Sequence, residues 1–199
     1  MKVKIKKQGK TESFNLISSW SDVTLETWLK LVDFETGTKT EEATETIAAL
    51  SDIPRRLVKE LALSDVANIM SKVAELQAKQ DKKLKRIIEI NDIEYGFHPD
   101  LDSITLGEYA DIEQFIKNGI ESNLPELMAV LYRPVKEKKN DIYIIDAYDG
   151  DIRLRTEEMK QMSAEQVQSA LVFFYTLGKV LSEILPLYLM DQLKETKTQ

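Results

Sequence analysis

Few side chains in this chain of 199 residues have the types and spacing that catalysis requires. His98 is the only histidine and cysteine is absent, so thiol chemistry and any site built from two imidazoles are excluded. His98 also precedes Pro99 at the end of an alternating segment, a position typical of a turn residue. We therefore predict that His98 is not a general base.

Three carboxylates within one segment form the best candidate for acid and base chemistry. Glu108, Asp111 and Glu113 lie within two helical turns, and paired carboxylates can divide the roles of acid and base. Glu108, however, follows Thr105 by three residues, which is the spacing of a helix capping box. The other two are expected to point away from the apolar stripe of the helix. A carboxylate-dependent hydrolase using Glu108 and Asp111 remains the enzymatic alternative.

Two further segments resemble ligand-binding loops only in part. The segment from Asp146 to Asp151 has the composition of a calcium loop, but its glycine falls at the fifth position instead of the sixth. The segment Gly9-Lys10-Thr11 lacks the upstream glycine of a phosphate-binding loop. We predict no metal site, no cofactor and no catalytic residue, and hence a protein that is not an enzyme.

Composition narrows the classes of partner. The chain has 27 Lys and Arg against 34 Asp and Glu, a formal net charge of -7, which argues against direct nucleic-acid binding. A basic cluster lacks interleaved aromatic residues and is predicted to be a charged connector; it contains Lys79, Lys82, Lys83, Lys85 and Arg86. With 43% hydrophobic residues, the chain is expected to form a single compact domain over residues 1–199.

Neither export nor membrane insertion is expected. The N-terminal segment MKVKIKKQGK lacks the apolar core of a signal peptide, and the absence of cysteine fits the cytosol. The longest apolar run, residues 170–190, contains Lys179, Glu183 and Pro186. Charges near the middle of a membrane span are costly, so we predict no span there.

The first half of the chain predicts a β-hairpin followed by short helices. Residues 1–18 alternate weakly around Gly9, and Thr24 is predicted to be the N-cap of a helix through Phe34. Three more helical segments are predicted over 42–50, 54–61 and 64–78.

The second half repeats this order. Residues 86–98 alternate on either side of Asn91-Asp92, which predicts a second hairpin. A helix begins at the Thr105 capping box, and another begins near Asn123 with Pro125 in its first turn. Residues 135–162 are predicted to be a long charged loop, after which Ser163 and Gln166 form a further capping box.

These predictions define an α+β fold, mainly helical, with two short β-hairpins. The helix pattern after Thr24 matches the pattern after Thr105 at a constant offset of 81 residues. This suggests an internal duplication into two pseudo-repeats, 1–80 and 81–199, joined by the charged connector.

Two places are predicted to be interfaces. The late helix is apolar around most of its circumference, which indicates burial on more than one side or in a subunit interface. Tyr132 and Arg133 are predicted to be an exposed pair at a helix end, and such pairs suit interfaces. The residues that form the apolar part of the late helix are Leu171, Val172, Phe173, Phe174 and Tyr175.

Four segments together resemble a group of tailed-bacteriophage proteins encoded among virion and assembly genes. The matching segments are Trp20-Ser-Asp-Val-Thr-Leu25, Thr105-Leu-Gly-Glu-Tyr-Ala-Asp-Ile-Glu113, Leu127-Met-Ala-Val-Leu-Tyr-Arg-Pro134 and the late helix with Phe173-Phe174. The resemblance implies an oligomeric structural protein, made in the host cytoplasm and incorporated into the virion. It would dock to capsid, portal or tail proteins, at the portal vertex or neck. The alternative implied is a tail-assembly chaperone absent from the mature virion.

Overall fold

The computed structural model of the chain describes residues 1–7, 10–34, 38–78, 83–140 and 142–170. Helices alternate with two antiparallel sheets, one of two strands and one of four. The predicted α+β class is therefore confirmed. The predicted late-helix interface, residues 171–175, lies outside the described residues.

The first half contains the predicted hairpin and four helices. Strand β1 (Lys2–Lys7) pairs with β2 (Lys10–Asn15), and a 3-10 turn follows at Trp20–Asp22. The cap of the first helix is as predicted, because the Thr24 hydroxyl accepts a hydrogen bond from the Thr27 amide at 3.2 Å. The third helix is shorter than the predicted segment 54–61. The helices are α1 (Leu25–Phe34), α2 (Lys39–Leu50), α3 (Arg55–Val58) and α4 (Leu63–Ala78).

The second hairpin also forms as predicted. Strands β3 (Ile87–Ile90) and β4 (Ile93–Phe97) are joined by Asn91 and Asp92, both with positive φ, as a tight two-residue hairpin requires. A 3-10 turn at Leu101–Ser103 leads into α5 (Leu106–Lys117) and then α6 (Leu124–Leu131).

The prediction of a long loop over residues 135–162 is wrong. Strand β5 (Tyr132–Lys139) begins directly after α6 and pairs with β6 (Ile142–Ile145), and helix α7 (Arg153–Met159) follows. The sheet order is β3-β4-β5-β6. The sequence pattern did not predict this strand because the second half of β5 is exposed and carries charged residues. One of them, Lys138, pairs with Glu94 on the neighbouring strand β4 at 2.6 Å.

Two apolar clusters form the interior of the part of the chain that the structure describes. One lies under the first hairpin and contains side chains from α2 and α4, and the other lies between the four-stranded sheet and helices α5, α6 and α7. Trp28 contacts both clusters. Leu25 belongs to the second cluster although it lies in the first half, and its amide donates to the Met162 carbonyl at 2.7 Å. The two halves therefore share their packing.

The proposed duplication has a shared element order but different surroundings. The two 3-10 turns begin at residues 20 and 101, an offset of 81, and each precedes a threonine-capped helix. The aligned leucines differ, because Leu25 is 0% exposed while Leu106 is 83% exposed. Leu106 therefore lies outside the buried face of its helix, and the duplication stays a prediction.

Candidate functional site

The capping carboxylate of α5 is also the centre of a buried polar network. Glu108 is 1% exposed, and its Oε2 accepts hydrogen bonds from the Thr105 amide at 2.7 Å and hydroxyl at 2.6 Å. This confirms the predicted capping box. The other oxygen, Oε1, lies 2.7 Å from a guanidinium nitrogen of Arg133. One side chain therefore caps its helix and ties that helix to β5.

The prediction that Tyr132 and Arg133 form an exposed pair is wrong, because both are buried. The chain passes from α6 directly into β5, which has a neighbouring strand on each side, so consecutive side chains point to opposite faces. Tyr132 packs edge-on against Phe97, with ring centroids 5.2 Å apart, and its hydroxyl donates to the Lys85 carbonyl at 2.7 Å. Arg133 points to the other face, toward Glu108.

His98 belongs to the same network and is buried. Its Nε2 lies 3.5 Å from Glu108 Oε1, and its amide donates to the Leu131 carbonyl at 2.7 Å. Burial lowers the pKa of His98, although the Glu108 carboxylate acts in the opposite direction. Burial would raise the pKa of Glu108, but hydrogen bonds from Thr105 and the charge of Arg133 hold that pKa below its ordinary value. A neutral imidazole and an ionised carboxylate are therefore the expected forms at pH 7.

Tyr148 joins Asp111 to this network. The Tyr148 hydroxyl donates to a carboxylate oxygen of Asp111, and the Arg133 guanidinium carbon lies 5.8 Å from the centre of the tyrosine ring. Burial and the hydrogen bond to Asp111 raise the pKa of Tyr148, so its hydroxyl stays protonated. Asp111 is thus held by the Tyr148 hydroxyl. Glu113 is exposed and pairs with Lys117 at 3.1 Å.

The geometry of this network shows that it holds helix α5 against strand β5. Glu108 accepts two hydrogen bonds through one oxygen and contacts a guanidinium with the other, at 2% exposure of its side chain. A general acid or base must reach the proton that it transfers, and this carboxylate is covered. The hydrolase alternative that uses Glu108 and Asp111 stays a prediction.

The acidic turn after β6 makes local contacts. Asp151 pairs with Arg153 through two hydrogen bonds of 2.9 and 3.0 Å, which lower the pKa of Asp151 to about 2. An oxygen of Asp149 accepts from the Asp151 amide at 3.1 Å. Within the described ranges, no group of three or more potential ligand side chains is placed to hold a metal ion.

An open cleft between α2, α3 and the start of α4 is the candidate docking site. Its volume is about 720 Å³, within the range of ligand and peptide pockets. Ile47 and Val58 are buried at its base, whereas Leu63 at its edge is 85% exposed. Sequence periodicity identified these helices, but the cleft arises from the short α3 turn that separates α2 from α4. We call this feature the α2–α4 cleft; it is lined by Lys39, Thr40, Glu41, Ala43, Thr44, Glu45, Ile47, Arg55, Val58, Lys59, Leu61, Leu63 and Val66.

The charges of the cleft differ from those of the whole chain. Three basic and two acidic side chains line it, although the chain carries a net charge of -7. Glu45 pairs with Arg55, and hydrogen bonds from Thr38 lower the pKa of Glu41. An apolar base with a slightly basic edge suits an apolar segment that carries acidic residues.

Comparison of the chain with family models, curated proteins and solved structures found no match in any of the three. Among the helices of the described residues, none is long and apolar enough to cross a membrane.

Proposed function

We propose that this chain is a non-enzymatic structural protein of a tailed bacteriophage that docks to other virion proteins at the portal vertex or neck. The bacteriophage assignment is supported by the resemblance of the four segments described above. Docking is supported by one structural observation, the α2–α4 cleft with its exposed leucine.

The cleft supports docking because its edge carries Leu63, which is 85% exposed, and a partner that covered this side chain would remove apolar surface from water. Leu63 stands beside an apolar base formed by Ile47 and Val58. An apolar anchor from a partner would contact both the base and Leu63. Lys39 and Lys59 at the edge would pair with acidic residues that flank this anchor.

Composition of purified virions tests the function. Mass spectrometry of particles from the phage that encodes this chain is expected to find it, at a copy number set by the symmetry of its vertex. If the chain is abundant in infected cells and absent from particles, the tail-assembly chaperone replaces this proposal. If it is in neither particles nor complexes with tail proteins, both assignments are wrong.

A pair of substitutions tests the cleft. Leu63→Asp is expected to abolish capture of the virion partner, because it places a charge beside the apolar base. Leu154→Asp is the matched control, since Leu154 is also 85% exposed but lies on α7, away from the cleft. Both variants are expected to fold, as shown by unchanged circular dichroism. Equal capture by the two variants would exclude the cleft as the docking site.

A further inference from the structure

The charged side chains of the α2–α4 cleft restrict what can fill it. Of the two carboxylates in its lining, Glu45 pairs with Arg55, and Glu41 belongs to the capping box of α2. Lys39 and Lys59 are exposed in the same lining, beside an apolar base and an exposed leucine. A segment that matches this cleft therefore presents apolar side chains together with carboxylates, and carries no cation among them.

One segment of this chain has that chemistry. Residues 180–193 follow the described part of the chain and read Val-Leu-Ser-Glu-Ile-Leu-Pro-Leu-Tyr-Leu-Met-Asp-Gln-Leu. They carry nine apolar side chains and two carboxylates, Glu183 and Asp191, and neither lysine nor arginine. The flanking residues differ, because 171–179 carry a lysine and no acid, and 194–199 carry no apolar side chain. We call residues 180–193 the acidic apolar segment.

We propose that the acidic apolar segment of each molecule occupies the α2–α4 cleft of the same molecule. Its apolar side chains cover Ile47, Val58 and Leu63. Its two carboxylates lie beside Lys39 and Lys59. Since the role of this contact rests on the proposed function of the cleft, a virion partner must displace the segment before it docks.

The chain approaches the cleft from a suitable place. Residues 164–170 are helical, and Ala164 belongs to the same apolar cluster as Ile47 and Val58. The nine residues 171–179, which separate this helix from the segment, span up to about 30 Å when fully extended. A compact body of this size has a radius of gyration of roughly 15 Å, so the segment is long enough to reach the cleft.

Attachment to the same chain favours this occupant over the same segment of a second copy. A short connection gives the segment an effective concentration at the cleft in the millimolar range. A second copy in a micromolar solution does not reach that concentration. If the segment occupies the cleft in about nine molecules of ten, it raises the apparent dissociation constant of a competing partner about tenfold.

Disulfide trapping in the full chain tests this contact, because the chain contains no cysteine of its own. Leu63→Cys is combined, in three separate variants, with Ile184→Cys, Leu187→Cys or Met190→Cys. At least one variant should form an intramolecular disulfide under mild oxidation, seen as a monomer whose mobility changes on reduction. The matched control replaces Leu63→Cys by Leu154→Cys, since Leu154 is also 85% exposed but lies on α7. Its disulfide should form at least about tenfold more slowly.

Charge reversal tests the pairing of the carboxylates with the lysines. Glu183→Lys with Asp191→Lys should slow disulfide formation, because it brings like charges together at the edge of the cleft. Adding Lys39→Glu with Lys59→Glu should restore the rate, since opposite charges then face each other again. A rate that is not restored, a control that reacts as fast as the Leu63 variants, or disulfides that form only between molecules would each overturn the proposal.

Capture of the virion partner separates a failure of this contact from a failure of the proposed docking site. Glu183→Lys with Asp191→Lys frees the cleft, so this full-length variant should bind the virion partner several-fold more tightly than the wild type does. If the intramolecular disulfide forms but partner binding is unchanged, the segment occupies the cleft and only the proposed docking site is wrong. If no intramolecular disulfide forms while Leu63→Asp still abolishes capture, the docking site stands and the contact with the segment is wrong.

Discussion

Replacing Arg133 by methionine should reveal how much the buried network stabilises the fold. The Arg133 and Glu108 side chains are 5% and 2% exposed, and their charged groups lie 2.7 Å apart. Removing one partner of such a pair leaves an uncompensated buried charge, which costs about 3–5 kcal/mol. Glu108 keeps its hydrogen bonds from Thr105, so we expect the lower end, about 3 kcal/mol of unfolding free energy.

Urea unfolding followed by circular dichroism measures this loss, provided that the slope of the transition is unchanged. Glu108→Gln should cost a similar amount, because it leaves the guanidinium buried without an anion. The double variant should cost less than the sum of the two by roughly 1 kcal/mol or more, since each single change already breaks the pair. Glu113→Gln is the control on the same helix. Its pair with Lys117 is exposed, and the change should cost no more than about 0.5 kcal/mol.

Two results would refute this reasoning. If Arg133→Met costs less than about 1 kcal/mol, the guanidinium contributes no more than an exposed pair does. If the two single losses add fully in the double variant, Arg133 and Glu108 are energetically independent despite their contact.

The remaining predictions concern acid and close packing. Because burial lowers the pKa of His98 from 6.5, the unfolded chain binds a proton more readily than the folded one. The free energy of unfolding should therefore be highest above pH 6.5 and should fall below it. Urea midpoints measured against pH would show this fall, and His98→Gln should abolish it. The lowered pKa of Glu108 should cause a second loss below its ordinary value of 4.5. Gly96→Ala should destabilise by about 1–3 kcal/mol in thermal unfolding, because its Cβ would lie 2.5 Å from the Tyr143 ring. Gly107→Ala should stabilise the protein by about 0.5–1 kcal/mol, because Gly107 lies in helix α5 and the nearest atoms to an added Cβ, on the Tyr148 ring, would be 3.9 Å away. A loss of stability in this variant would contradict the packing described.

Local signals in the sequence predicted much of the secondary structure correctly. The capping boxes at Thr105 and Ser163 both form, since each needs only a hydroxyl and an acceptor three residues later. The turn at Asn91-Asp92 forms because these residues tolerate positive φ. Such interactions span four residues or fewer, so one sequence contains all of their components.

The candidate sites depended on contacts between distant residues. Glu108 and Arg133 are 25 residues apart in the chain, and no local pattern marks them as partners. Lysines in the second half of strand β5 prevent the alternation of apolar and polar residues that would have predicted a strand. The strand forms because β4 and β6 supply hydrogen-bonding partners on both of its sides. That pairing turned Arg133 from an expected surface residue into a buried one. The sequence alone determined where the helices after Thr24 and Thr105 begin and where the Asn91-Asp92 hairpin turns, because those interactions are local. Only the tertiary structure decided which side chains are buried, where β5 pairs with β6 and where a cleft forms.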